Sequence, residues 1–129
     1  MIRPIQLNNK SIKNIMSTVT IYHNPRCSKS RKALEILEEK GHTPVIIDYL
    51  EQSLTKQEIQ SLLSQLSLAI TEIIRQSEDY YKAERLNTAS AEELITHLIK
   101  EPKLLQRPIV ISNHKAVIAR PPERVLEIL

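Results

Sequence analysis

The first third of the chain limits the fold most, because it reads as two strands joined by one helix. Residues 18–23 (TVTIYH) alternate and are rich in β-branched side chains, which predicts a strand. A turn follows at Asn24-Pro25-Arg26, and a helical stretch begins near Cys27. Its apolar residues Ala33, Leu34, Ile36 and Leu37 recur at helical spacing, and Gly41 stands where helices commonly end. Residues 45–50 (VIIDYL) predict a second apolar strand. A strand–helix–strand unit favours parallel strands with a right-handed crossover.

Downstream, Thr55 with Glu58 and Ser90 with Glu93 are capping-box patterns. They predict helices over about 55–65 and 90–100, with a further helical piece from about Leu68 to Arg75. A polar connection spans 76–89. After Pro102 and Pro108, residues 109–112 (IVIS) and 116–119 (AVIA) read as strands separated by Asn113-His114-Lys115, as in a hairpin. Pro121 and Pro122 mark the start of a final helix running to Leu129. The whole is an α/β domain in the thioredoxin-like order, with an all-helical insertion between the β-α-β unit and the hairpin.

A chain of 129 residues fits one domain. With no Phe and no Trp, its core must be aliphatic. The net charge of +3 does not imply nucleic-acid binding. Of 18 basic residues, Arg3, Lys10 and Lys13 lie in the first fifteen positions, which hold no acid; the rest balance 15 acidic residues. Duplex binding requires clustered Lys and Arg. Residues 1–15 are expected to be a loose extension, with the domain at 16–129. No apolar run approaches the roughly 20 residues that span a bilayer. A single cysteine excludes an internal disulfide framework and a Cys-rich zinc site, so a reduced, cytoplasmic setting is expected.

Cys27 carries most of the functional signal. At the first turn of a helix, free N–H groups and the dipole favour the thiolate. Arg26, Lys29 and Arg31 act in the same direction. The thiolate is the nucleophilic form, and the same N–H groups make an anion site. The alternative is a small buried core residue, which free cysteines often are. Its neighbours Pro25, Arg26, Ser28 and Lys29 favour the reactive reading.

The stretch His23-Asn24-Pro25-Arg26-Cys27-Ser28-Lys29-Ser30-Arg31 resembles the active-site loop of the ArsC-type, glutaredoxin-coupled arsenate reductases. The resemblance runs from about Thr18 to Leu129 through Asp48-Tyr49-Leu50-Glu51, Arg107-Pro108-Ile109-Val110 and Arg120-Pro121. The wording of its motifs is most similar to the YfgD-like branch. It implies that Cys27 attacks a small oxyanion held by Arg75, Arg107 and Arg120. It also implies supporting positions at Ser30 and Arg31, a cis peptide before Pro108, and a tuning or orienting role for His23. A guanidinium suits a tetrahedral oxyanion because it offers paired donors and stays charged. Taken singly, each arginine has a plainer role. Arg75 would complement a helix dipole, Arg107 would be a solvated loop residue, and Arg120 would pair with Glu123. His23 could equally be structural. His42, His97 and His114 form no metal-binding pattern.

Electron counting adds a constraint. Arsenate reduction takes two electrons, one thiol entering a disulfide supplies one, and the chain has no second cysteine. The resemblance implies no bound cofactor, glutathione as co-substrate and glutaredoxin as partner. The Cys-x₃-Arg spacing differs from the Cys-x₅-Arg loop of thioredoxin-coupled reductases. Two departures bear on anion selectivity: Ser28-Lys29 replaces the Gly-Thr of well-characterised members, and the 77–89 connection is slightly short. Two rival readings remain. An Spx-like regulator shares the fold, but Ser30 stands where its second switch cysteine would be. A general glutathione-linked thiol oxidoreductase would read Cys27-Ser28-Lys29-Ser30 as a monothiol motif.

Overall fold

The structure is a computed structural model describing residues 18–129. Strand β1 (Val19–Tyr22) leads through a turn into helix α1 (Ser28–Glu39), which returns to strand β2 (Val45–Ile47). β1 and β2 are parallel, with Tyr22 opposite Ile47. Gly41 at φ +87 closes α1. Its N–H reaches the Glu38 carbonyl and the His42 N–H reaches Leu37, satisfying two carbonyls left free at the helix end. β2 is shorter than its apolar run suggests. The Asp48 side chain accepts from the Leu50 N–H, and its carbonyl from Glu51 and Gln52, so Asp48-Tyr49-Leu50 forms a turn.

Both capping boxes form. Thr55 and Glu58 exchange side-chain bonds with each other's N–H at the start of α2 (Lys56–Leu66). Ser90 and Glu93 do so before α4 (Ala91–Lys100). The expected helix over 68–75 is a single 3-10 turn, Ile70–Ile73. Beyond it Ile74 leaves helical geometry to pair with Leu105, so tertiary pairing outcompetes local helix here. The 76–89 connection contains a short α3 (Asp79–Ala83) and a 3-10 turn at Leu86–Thr88.

Strands β3 (Ile109–Ser112) and β4 (Lys115–Ile118) form the hairpin and complete a sheet of order β2-β1-β3-β4. The hairpin loop is two residues, not three: Asn113 and His114 both take positive φ, so Lys115 enters the strand opposite Ser112. The final helix is a 3-10 segment, Pro122–Glu127.

Period-two alternation divides the core into two layers. On one face Val19, Ile21, Val110 and Val117 pack with Ala33, Leu37 and Val125 from α1 and the C-terminal segment. On the other, Tyr22 and Ile109 pack with Ile59, Leu62, Ile73, Leu94 and Leu98 of the insertion. The core is aliphatic apart from Tyr22 and Tyr49. The architecture is the thioredoxin-like one, with the helical insertion closing one face. Residues 1–15 and Met16, assigned above to an extension and a domain start, lie outside the described residues.

Leu98 is fully buried, whereas Leu126 is about half exposed at 48%. Leu98→Ala should lower unfolding free energy by about 2–5 kcal/mol through lost burial and a cavity. Leu126→Ala should change it by about 0.5 kcal/mol or less. Urea denaturation of both variants checks the pair.

Candidate active site

Asn24, Pro25 and Arg26 turn the chain sharply out of β1. The Asn24 side chain accepts the Arg26 N–H at 2.9 Å, and its carbonyl accepts the Cys27 N–H at 2.9 Å. Cys27 thereby becomes the N-cap of α1, with extended backbone angles and a half-buried side chain. Caps here are usually Ser, Thr, Asp or Asn, whose oxygen satisfies free N–H groups. Sulfur occupies that place instead.

Burial pushes the Cys27 thiol up, but the backbone N–H groups of Ser30 and Lys29 and the Arg107 guanidinium outweigh it. The net effect holds the thiol below its ordinary value. No acidic residue lies in the first turn of α1 to oppose this. The setting is that of a reactive thiolate.

Ser30 locks the first turn. Its hydroxyl oxygen accepts the Asn24 N–H at 3.0 Å and lies 2.6 Å from His23 Nδ1, both side chains being buried. With the oxygen already accepting, the hydroxyl proton is free to point at Nδ1, which suits a neutral imidazole. Burial lowers the His23 pKa, Asp48 raises it less, and Arg31 lowers it further. His23 is thereby tied to Ser30 in the first turn of α1. Arg31 donates from Nη1 to the Pro25 carbonyl at 2.9 Å and braces the outside of the turn.

Arg107 and Arg120 reach the site from the same end of the sheet, where β1 ends, β3 begins and β4 ends. Arg75 N–H donates to the Leu104 carbonyl at 2.7 Å, and Gln106 N–H to Ile73 at 2.8 Å, flanking the Ile74–Leu105 bridge. This clamp ties the end of the insertion to the segment entering β3. Arg107 follows, and the Arg107-Pro108 peptide is cis, as the resemblance implied. Arg120-Pro121 is cis as well, which was not expected. The Arg107 guanidinium lies near enough to Cys27 to lower its pKa. Arg120 donates to the Arg107 carbonyl at 3.1 Å and supports it from behind. Arg75 pairs with Glu78 at 3.3 Å, so it does not stand as a free cation. Arg107 thus acts on the thiol, Arg120 braces the Arg107 carbonyl, and Arg75 is paired with Glu78.

Two buried side-chain atoms among the described residues lack a hydrogen-bond partner: Arg107 Nε and Tyr49 Oη. An unmet buried donor costs about 1–3 kcal/mol. Tyr49 was not assigned a role from the sequence, although it stands in one of the segments that carry the resemblance. The available signal was a lone tyrosine directly after an apolar strand. A cavity of about 330 Å³ opens against Asn24 and Arg26 and is walled by Asp48, Glu51, Glu101 and Lys103. No cluster of three or more His, Cys, Asp or Glu among the described residues could hold a metal.

A thioredoxin-like domain with one thiol at a helix start, its pKa lowered by first-turn amides and an arginine, defines a class: single-cysteine proteins of the thioredoxin-like fold. Within that class, the profile of the ArsC family matches residues 22–128, and this chain belongs to the ArsC family. It is 47% identical over 114 residues to the uncharacterised protein YfgD of Escherichia coli K12, covering 86% of this chain and 96% of that one. It is 43% identical over 115 residues to an arsenate reductase of Haemophilus influenzae, covering 87% and 99%. The solved structure of an arsenate reductase from Vibrio cholerae superposes with a TM-score of 0.85 at 44% identity, covering 88% and 98%.

Arg107→Ala leaves burial acting on Cys27 with less to oppose it. The thiol pKa should rise, and iodoacetamide alkylation at pH 7 should slow by about tenfold for each pH unit that the titration midpoint climbs. A pH profile of alkylation checks this.

For His23, the folded state resists protonation more than the unfolded state does. Its contribution is present above the unfolded value, near 6.5, and is lost as pH falls through that range. Wild type should lose stability relative to His23→Asn between about pH 7 and 5. Paired thermal melts across that range test it.

Proposed function

We propose that this chain is a glutathione- and glutaredoxin-dependent arsenate reductase. The observation that carries this reading is Cys27 at the N-cap of α1, its pKa lowered by the Ser30 and Lys29 amides and by Arg107. Arg107 also keeps one buried donor unmet. Membership in the ArsC family, with relatives named arsenate reductases, supports it.

In the first step the Cys27 thiolate attacks arsenic, an S–As bond replaces an As–O bond, and the oxygen leaves as water. Arg107 offsets the charge that thiolate and oxyanion bring together, which is the preorganised electrostatics such chemistry needs. Arg75 and Arg120 complete the cationic surround, Arg75 by exchanging Glu78 for the ligand. In the second step a glutathione thiolate attacks the Cys27 sulfur. An S–S bond forms, the S–As electron pair stays with arsenic, and arsenite departs. Glutaredoxin then reduces the mixed disulfide and restores Cys27. Two thiols thus supply the two electrons. The cavity beside Asn24 and Arg26, walled by both signs of charge, offers room for a peptide thiol next to the reacting loop.

The proposed setting is the cytoplasm, where glutathione keeps thiols reduced. No helix among the described residues is long and apolar enough to cross a membrane. Arg107 on the thiol favours an oxyanion ligand over both the general disulfide reductase and the regulatory reading.

NADPH oxidation coupled through glutathione, glutaredoxin and glutathione reductase should depend on arsenate in wild type. It should be lost in Cys27→Ser. Absence of arsenate-dependent turnover in wild type, with an acidic Cys27 thiol, would remove arsenate as the substrate.

A further inference from the structure

We infer that Tyr49 is a further oxyanion-contacting residue: its phenolic O–H donates to one oxygen of the ligand at Cys27, beside Arg107. The inference rests on the oxyanion reading of the site given above and deepens it.

Strand register puts Tyr49 in place. β1 and β2 run parallel with Tyr22 opposite Ile47, and the His23 N–H extends the ladder to the Ile47 carbonyl at 2.9 Å. Two residues beyond each of these positions lie Asn24 and Tyr49. The Asp48 turn then holds the ring, which is fully buried at 0% exposure. Its hydroxyl faces the Asn24 side chain without meeting the geometry of a hydrogen bond. Arg107, Cys27 and Arg75 all lie near enough to act on its ionisation.

Two features separate this hydroxyl from an ordinary core tyrosine. Buried tyrosines normally place the O–H on a partner, and this one has none among the described residues. The other unmet buried atom, Arg107 Nε, belongs to the residue whose guanidinium acts on both Cys27 and Tyr49. Two orphan donors around one nucleophile are what a site for a multi-oxygen anion requires, since each ligand oxygen can take a donor. Burial pushes the Tyr49 pKa up to about 12, against the opposing pull of Arg107. The phenol therefore stays protonated at working pH. It serves as a hydrogen-bond donor and not as a proton-transfer group.

The test is protection of Cys27 from iodoacetamide by arsenate, without glutathione, in wild type and Tyr49→Phe. Phe keeps the ring and removes only the unmet hydroxyl. The variant should melt no lower than wild type without arsenate, and the pH midpoint of its alkylation should barely move. It should need about tenfold more arsenate for half-protection, as expected for one lost bond to a charged ligand. In turnover the same loss appears as a higher KM for arsenate. Equal protection of both proteins would overturn the role of Tyr49 while leaving the oxyanion site standing. A drop in melting temperature with unchanged half-protection would also overturn it, assigning the hydroxyl to the fold. No protection of wild type at any arsenate concentration would overturn the oxyanion reading, and this inference with it.

Discussion

The first turn of α1 has N–H groups that no carbonyl can reach, and the rest of the molecule is organised around that deficit. In most helices an oxygen side chain at the cap fills it. Here the cap is Cys27, whose sulfur makes no capping hydrogen bond, and the nearby Ser30 and Lys29 amides lower its pKa instead. One backbone requirement thereby becomes a chemical property. The first-turn amides left without a capping oxygen are those that favour the thiolate.

That arrangement works only if the turn before the helix cannot relax. Asn24, His23, Ser30 and Arg31 form a closed set of bonds around it, joining the end of β1 to the first turn of α1. His23 is buried and bonded to Ser30, which ties the end of β1 to the helix start. The opposite wall is built from distant sequence. The Ile74–Leu105 bridge joins the insertion to the β3 entrance, and Arg120 reaches back from beyond β4 to the Arg107 carbonyl. Arg107 is therefore held by its neighbours at both ends of the hairpin. These contacts leave the Arg107 backbone less freedom to move.

The site also concentrates what the core avoids. Buried polar groups in folded proteins nearly always find partners, and the two exceptions among the described residues adjoin one cysteine. Such unmet donors oppose stability and favour an anionic ligand, a common trade at active sites. The aliphatic packing on either side of the sheet offsets the deficit without drawing on aromatic stacking.

By itself the sequence determined what depends on neighbours in the chain. The β-α-β unit, both capping boxes, the Gly41 stop and the placement of Cys27 at a helix start follow from local periodicity and side-chain-to-backbone bonding. It also supplied the Asn-Pro-Arg-Cys motif and the separated arginines, which carried the resemblance to the ArsC family. Only the tertiary structure decided the outcomes set by residues far apart. Ile74 gave up helix for a bridge with Leu105, β2 stopped at Ile47, and the hairpin closed on Asn113 and His114. Among three similar arginines it distinguished one that lowers the Cys27 pKa, one bonded to the Arg107 carbonyl and one paired with Glu78. Tyr49 shows the division most clearly. Its place after an apolar run is local information, but its unmet hydroxyl beside Arg107 depends on the parallel register of β1 with β2. Register and orphaned donors are properties of paired segments, and no single stretch of chain contains them.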